Sequence, residues 1–325
     1  MITARGLHKR YKKTVAVNEL SFDVRPGVVT GFLGPNGSGK STTMRLMLGL
    51  DHGGGETLFD GTKFGDIRRP MNDVGTLLEA KPFHPTRSAR NHLRMLASAN
   101  RIPTSRIDEV MEYVGLATVK RKKPKGYSLG MAQRLGLAQA LLGDPGILLL
   151  DEPTNGLDPH GIHWMRDILK RLAYEGRTIF VSSHLLSEMQ LMADELVVIG
   201  KGNMIFNGDV DTFVREFTQT TVIVRSPAAE AFTPVLEREG ATVTTGAKGE
   251  LIVADLKIDL VGHLAFNEGI ELRELSEHSA SLEDAFMSAT GSSEEFVAID
   301  PEKTAAPAAP AAQAAQPAQD GTDNA

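Results

Sequence analysis

Two groups of residues in this chain could do chemistry together. Gly34-Pro35-Asn36-Gly37-Ser38-Gly39-Lys40-Ser41 has the spacing G-x-x-x-x-G-K-[ST]. Glycines at these positions let the main chain turn tightly, so successive N–H groups converge on a phosphate at the positive end of a following helix. Lys40 supplies a cation for β- and γ-phosphate oxygens, and the Ser41 hydroxyl an oxygen for Mg²⁺. The second group is Asp151-Glu152, which closes the apolar run Ile147–Leu150. Alternation along a strand aims the two carboxylates differently: Asp151 toward the water shell of Mg²⁺, Glu152 toward the γ-phosphate. There Glu152 can orient and polarise a water for in-line attack. The predicted ligand is a nucleoside triphosphate with Mg²⁺.

The elements around these groups fit that use. An apolar stretch, residues 28–33, leads into the glycine-rich loop, and residues 41–48 have helical spacing after it. Short β-rich runs at 15–17 and 21–24 precede the loop. From about 79 to 125 the pattern turns helical, with 89–97 and 107–114 the clearest segments. Strand–helix alternation returns through 147–150, 162–172, 178–182 and 196–199, the mark of an α/β domain. Beyond residue 217, strands are predicted at 222–224, 241–243, 251–253 and 270–272, with helices at 228–238 and 258–266. That β-α-β-β-α-β order is ferredoxin-like. A last helix over 281–287 starts on the capping residue Ser281. From about 292 the chain reduces to Ala, Pro, Gln and Asp, too little large apolar surface to offset its ordering entropy, so a disordered tail is expected there.

Composition excludes several classes. A chain of 325 residues with net charge −6 is not a nucleic-acid binder held by bulk electrostatics. The one dense basic run, Lys120-Arg121-Lys122-Lys123-Pro124-Lys125, reads as a solvated face ahead of a specific anionic site. Without cysteine there is no disulfide or thiol chemistry. The opening residues lack the apolar core of a signal peptide. No apolar run reaches the ~18 residues that a membrane span needs.

With Pro153-Thr154-Asn155-Gly156-Leu157-Asp158-Pro159 directly after the two carboxylates, the chain resembles the nucleotide-binding subunit of an ATP-binding-cassette (ABC) transporter over residues 2–212. The resemblance implies a P-loop core with an antiparallel β subdomain and an α-helical insertion. With the pattern and composition beyond residue 217, the chain divides into an ABC domain over 1–215 (helical part about 79–135), an accessory α+β unit over 216–291 and the tail over 292–325. The resemblance implies ATP and Mg²⁺ held by Gly34 to Thr42, that is Gly34, Pro35, Asn36, Gly37, Ser38, Gly39, Lys40, Ser41 and Thr42, with Ser41, Asp151 and Glu79 at the metal. Tyr11 takes the place of the aromatic that stacks on adenine, although a plain strand tyrosine fits equally. His184 matches the switch histidine that touches the γ-phosphate and joins Glu152 as a catalytic residue. Asp158 falls in the dimer-interface loop.

Tyr127-Ser128-Leu129-Gly130-Met131-Ala132-Gln133-Arg134 stands where the family has its Leu-Ser-Gly-Gly-Gln signature, whose helix end binds the γ-phosphate held by a second subunit. Ser128 and Gly130 match, while Leu129 replaces a glycine and Met131 a glutamine. Glu79 stands where most of the family has glutamine. Together with Pro82-Phe83-His84-Pro85 and residues 281–286, these departures are similar to the branch serving bacitracin resistance and lantibiotic immunity. The resemblance thus implies a cytoplasmic ATPase on the inner face of the membrane. It would dimerise with a second copy and drive a separate membrane permease, exporting an antibiotic, peptide or other small molecule, with no nucleic acid as partner. The alternatives are a soluble ABC ATPase acting on nucleic acid or the ribosome, and a small-molecule phosphotransferase, for which signature and dimer loop have no purpose.

Overall fold

The structure, a computed structural model, describes residues 1–78, 83–84, 86–218, 221–246, 248–278 and 281–290. Its centre is a six-stranded sheet in the order Asn203–Asp209, Glu195–Gly200, Val29–Leu33, Thr178–Ser182, Ile147–Leu150, Val74–Leu77. The last five run parallel and the first pairs antiparallel at one edge. Strands covered on both faces are expected to be apolar throughout, and Val29–Leu33, Ile147–Leu150 and Thr178–Ser182 are buried at every position.

Alternation splits these strands between two cores. Leu33, Leu148, Leu150, Ile179 and Val181 pack with the helices Leu129–Ala140 and Pro159–Tyr174. Phe32, Leu149 and Phe180 face the other way, onto the helix Lys40–Met47 and a four-stranded antiparallel sheet in the order Thr14–Val24, Ile2–Tyr11, Gly54–Phe59, Thr62–Lys63. Phe22 of that sheet stacks on Phe180, and Phe180 on Phe32, at centroid distances of 5.4 and 5.0 Å. The two runs predicted at 15–17 and 21–24 form one strand, Thr14–Val24, irregular around Glu19, which has a φ of +51°.

The helical insertion holds Ala89–Asn100 and Ser105–Tyr113 before the helix Leu129–Ala140. Ser88 caps the first, accepting the Asn91 N–H at 3.3 Å. Glu79, and the whole of 292–325, lie outside the described residues.

Residues 221–278 form a third sheet, ordered Thr242–Thr245, Leu251–Ala254, Thr221–Arg225, Glu274–His278, antiparallel throughout. The helices Ala229–Arg238 and Ile258–Asn267 cover one face, burying Phe232, Leu236, Val261 and Ala265 against Val222, Val224, Leu251 and Val253. This is the ferredoxin-like arrangement, with one correction. The fourth strand is Glu274–His278, not 270–272. Ile270 is apolar because it closes the preceding helix, its N–H donating to Ala265 O at 2.9 Å, and both Ile270 and Leu272 pack on the core outside the ladder. The final helix, Leu282–Thr290, opens on a reciprocal cap between Ser281 and Asp284. Its Leu282, Ala285 and Phe286 join the core that contains Phe213, and the Leu282 N–H donates to Gln190 Oε1 at 3.1 Å.

Candidate active site

Strand Val29–Leu33 ends at the phosphate loop, and the helix Lys40–Met47 begins on Gly39, whose φ of +106° places it in the left-handed region. A Cβ at Gly39 would stand 2.3 Å from Ala16 O, so the loop passes another strand at a distance only glycine allows. Lys40 Nζ folds back to donate to Gly34 O at 2.6 Å and Pro35 O at 3.2 Å. Burial pushes the Lys40 ammonium below its ordinary pKa, while Glu152 and Asp151 pull it back up. A buried cation at the start of a helix can take an anion, and phosphate oxygens can replace the two carbonyls as its acceptors.

Strand Ile147–Leu150 lies two places along the sheet, and its end brings in both carboxylates. The Asp151 N–H donates to Leu77 O at 2.6 Å. Ser182, fully buried at the end of the intervening strand, donates its hydroxyl to Asp151 Oδ1 at 2.5 Å and accepts the Glu152 N–H at 2.9 Å. Glu152 is in the left-handed region at φ +50°, a conformation a non-glycine residue keeps only where its surroundings impose it. His184 Nδ1 lies 2.5 Å from Glu152 Oε2. Tyr11, Ala16, Asn36 to Thr42, Asp151 and Glu152 line one cleft of about 380 Å³.

A family model described as ABC transporter matches residues 17–155, and one for a domain of unknown function (DUF8746) matches 220–283. An uncharacterised ABC transporter ATP-binding protein, YhcH of Bacillus subtilis (strain 168), is 38% identical over 301 residues, covering 91% of this chain and 98% of its own. The chain belongs to the ABC transporter ATP-binding proteins. The bacitracin transport ATP-binding protein BcrA of Bacillus licheniformis is 41% identical over 209 residues, 63% of this chain and 68% of that one. A solved dimeric post-hydrolysis state of the ATP-binding cassette MJ0796 with ADP and Pi has a TM-score of 0.59 at 22% identity, covering 64% of this chain and 98% of that one.

As an ABC transporter ATP-binding protein, the chain binds ATP and hydrolyses it in transport. Among the described residues, no helix is long and apolar enough to cross a membrane. Its cleft gathers the phosphate loop, Asp151 and Glu152, with His184 attached to the latter. Ser128, Gly130 and Asp158 do not line it. Ser128 caps Leu129–Ala140, accepting the Met131 N–H at 3.2 Å, and Asp158 caps Pro159–Tyr174, accepting the Gly161 N–H at 2.9 Å. Met131 packs against the core. Tyr11 is half exposed; its hydroxyl donates to Asp51 Oδ2 at 3.1 Å, and the Lys9 ammonium sits 4.7 Å from its ring centre.

Two residues gained no role from the sequence. Ser182 is a lone hydroxyl ending an apolar strand, which is its one visible signal. Gln133 is marked in sequence only as part of the intact Gln133-Arg134 that ends the signature-like run; nothing there tells of a partner, since a glutamine on a helix is ordinarily solvated.

Proposed function

We propose that this chain is the hydrolytic subunit of an exporter for an antibiotic, peptide or other small molecule, and that it works as a pair of identical copies with ATP between them. The observation that carries the reading is the cleft itself, where the Lys40 loop and the Glu152 carboxylate meet with His184 against that carboxylate. Lys40 neutralises the β- and γ-phosphates and the loop N–H groups hold their oxygens. Glu152 holds and polarises the attacking water, taking its proton as the water oxygen bonds to the γ-phosphorus and the bond to the bridging oxygen breaks, leaving ADP and phosphate, while His184 orients Glu152. Oxygen donors suit a hard divalent cation. Ser41 and Asp151 would hold Mg²⁺, which would neutralise phosphate charge, and Ser182 fixes the Asp151 carboxylate through Oδ1. Glu79 would serve as a further oxygen donor to the metal's water shell and relay the nucleotide state to the permease.

In this reading, Ser128 and Gly130 present the start of their helix to the γ-phosphate in the second copy's cleft, and Asp158 lies at the same interface. ATP contacts both copies only when they close, so its binding shifts the open–closed population by its differential affinity. The dimeric MJ0796 cassette supports the pairing and BcrA supports the substrate class. Residues 1–215 then form the ATPase unit and 216–291 an accessory unit, fastened to the first through Leu282–Thr290. The partner is a membrane permease, met on the cytoplasmic face. Affinity purification in mild detergent tests this: a polytopic membrane protein should accompany the chain. Recovery with ribosomes or nucleic acid instead would refute the transport assignment.

A further inference from the structure

Within a single chain, the helix capped by Ser128 is fastened to the loop that carries Glu152. Gln133, one turn into Leu129–Ala140, is 1% exposed, and its Nε2 donates to Glu152 O at 3.3 Å and Asn155 O at 3.2 Å. Two carbonyl acceptors fix the amide's orientation, because Oε1 in that place would face two oxygens. Oε1 itself is buried with no hydrogen-bond partner among the described residues. A buried orphan acceptor is destabilising, so packing alone would favour an apolar side chain here.

A second contact joins the same elements. Gly156 has a φ of +75°, and a Cβ there would stand 1.9 Å from Leu129 Cδ2 and 2.4 Å from Leu129 Cγ. Leu129, where the ABC pattern has glycine, thus lies over a glycine of the Glu152 loop. Leu157 closes from beneath, its Cδ2 3.3 Å from where a Gly130 Cβ would be. Glu152 needs such support, since its own backbone is left-handed.

We propose that Gln133 is a positioning residue for hydrolysis: it ties the Glu152 main chain to the signature helix, so that engagement of the Ser128 end by the second copy's nucleotide sets the carboxylate in this chain's own cleft. The inference rests on the two-copy ATP site. Ser128 and Glu152 of one chain belong to different ATP sites, and Gln133 is the direct bond between their elements. Hydrolysis at one site thereby becomes sensitive to occupancy of the other.

Gln133→Met in the full chain keeps the volume and removes both donors. ATP affinity should stay within about twofold while kcat falls about tenfold or more, and the Hill coefficient for ATP should drop toward one. Wild-type kcat and Hill coefficient in this variant would overturn the proposal, because methionine satisfies a purely packing role. Gly156→Ala tests the same fastening without touching Gln133. It should lower kcat by straining the loop beneath Leu129; wild-type kcat in Gly156→Ala also counts against the proposal. ATP-driven pairing of Glu152→Gln chains separates the two readings. If those chains do not pair, the two-copy site fails; if they pair and Gln133→Met turns over normally, only this inference fails.

Discussion

His184 and Glu152 form a two-point contact: Nδ1 lies 2.5 Å from Oε2, and the His184 main-chain N–H donates to the same oxygen at 3.3 Å. Ser182 holds the other end of the glutamate by accepting its N–H. The carboxylate is therefore fixed from main chain to tip by Ser182 at the strand end and His184 just past it, while Oε1 has no partner among the described residues.

That contact predicts a split in kinetics. His184→Ala should leave ATP affinity within a few fold of wild type and lower kcat by about 10- to 100-fold, since it removes orientation of the base while Lys40 and the loop still hold the phosphates. Steady-state ATPase assays beside nucleotide-binding titrations decide it, and a large loss of affinity with kcat preserved would make His184 a binding residue.

Lys40→Ala should act on the opposite parameter. Removing the buried cation of the loop should weaken ATP binding by about 10- to 100-fold, the range of a charge-assisted bond. Mixed with Ser128→Ala chains, it should leave at most one complete site per mixed pair. Full activity at every site of such a mixture would rule out a site shared by two copies.

The phosphate loop and the Asp151-Glu152 pair were legible because their chemistry is local: a glycine-rich turn, a lysine and two carboxylates lie within short segments whose flanks declare strand and helix. The fold was legible for the same reason wherever burial is complete, as in Ile147–Leu150. Partners contributed from elsewhere were not legible. Ser182 meets Asp151 only because Thr178–Ser182 pairs beside Ile147–Leu150, and Gln133 meets Glu152 only through helix-to-loop packing. Ile270 misled because apolar residues that close a helix end look, in sequence, like the start of a strand. Leu129 reads in sequence as a departure from a pattern; only the fold shows Gly156 beneath it.

His92 gives a pH dependence. It is buried in Ala89–Asn100, bonded through Nε2 to Gln139 Oε1 at 2.8 Å, and its Nδ1 has no partner among the described residues. Burial pushes its pKa below the ordinary 6.5, against the Gln139 bond, and Arg87 adds to the fall. The unfolded chain therefore takes up this proton first, so its contribution to stability is full above about pH 6.5 and is lost as pH falls through the folded pKa. Urea midpoints at about pH 7.5 and 5.5 should differ more for wild type than for His92→Gln; an equal difference would contradict the assignment.

Truncation distinguishes the role of the last helix from that of residues 292–325. Ending the chain after residue 291 should leave stability and ATPase nearly unchanged, whereas ending it after 278 removes Leu282, Ala285 and Phe286 from the ATPase core. Loss of a buried leucine or phenylalanine costs about 2–5 kcal/mol each, so the shorter chain should melt many degrees lower. Equal melting temperatures would mean that the helix contributes no packing.

Glu152→Gln examines the central claim, that Glu152 activates the water for an ATP held between two copies. The amide keeps the side chain's length but is no base, so ATP should bind and stay uncleaved. The measurement is the mass of this variant by light-scattering size exclusion with Mg·ATP, read beside its phosphate release. The account predicts a mass that doubles with ATP but not with ADP, and a turnover about a hundredfold or more below wild type. A monomer at saturating ATP that still releases phosphate at the wild-type rate would contradict it.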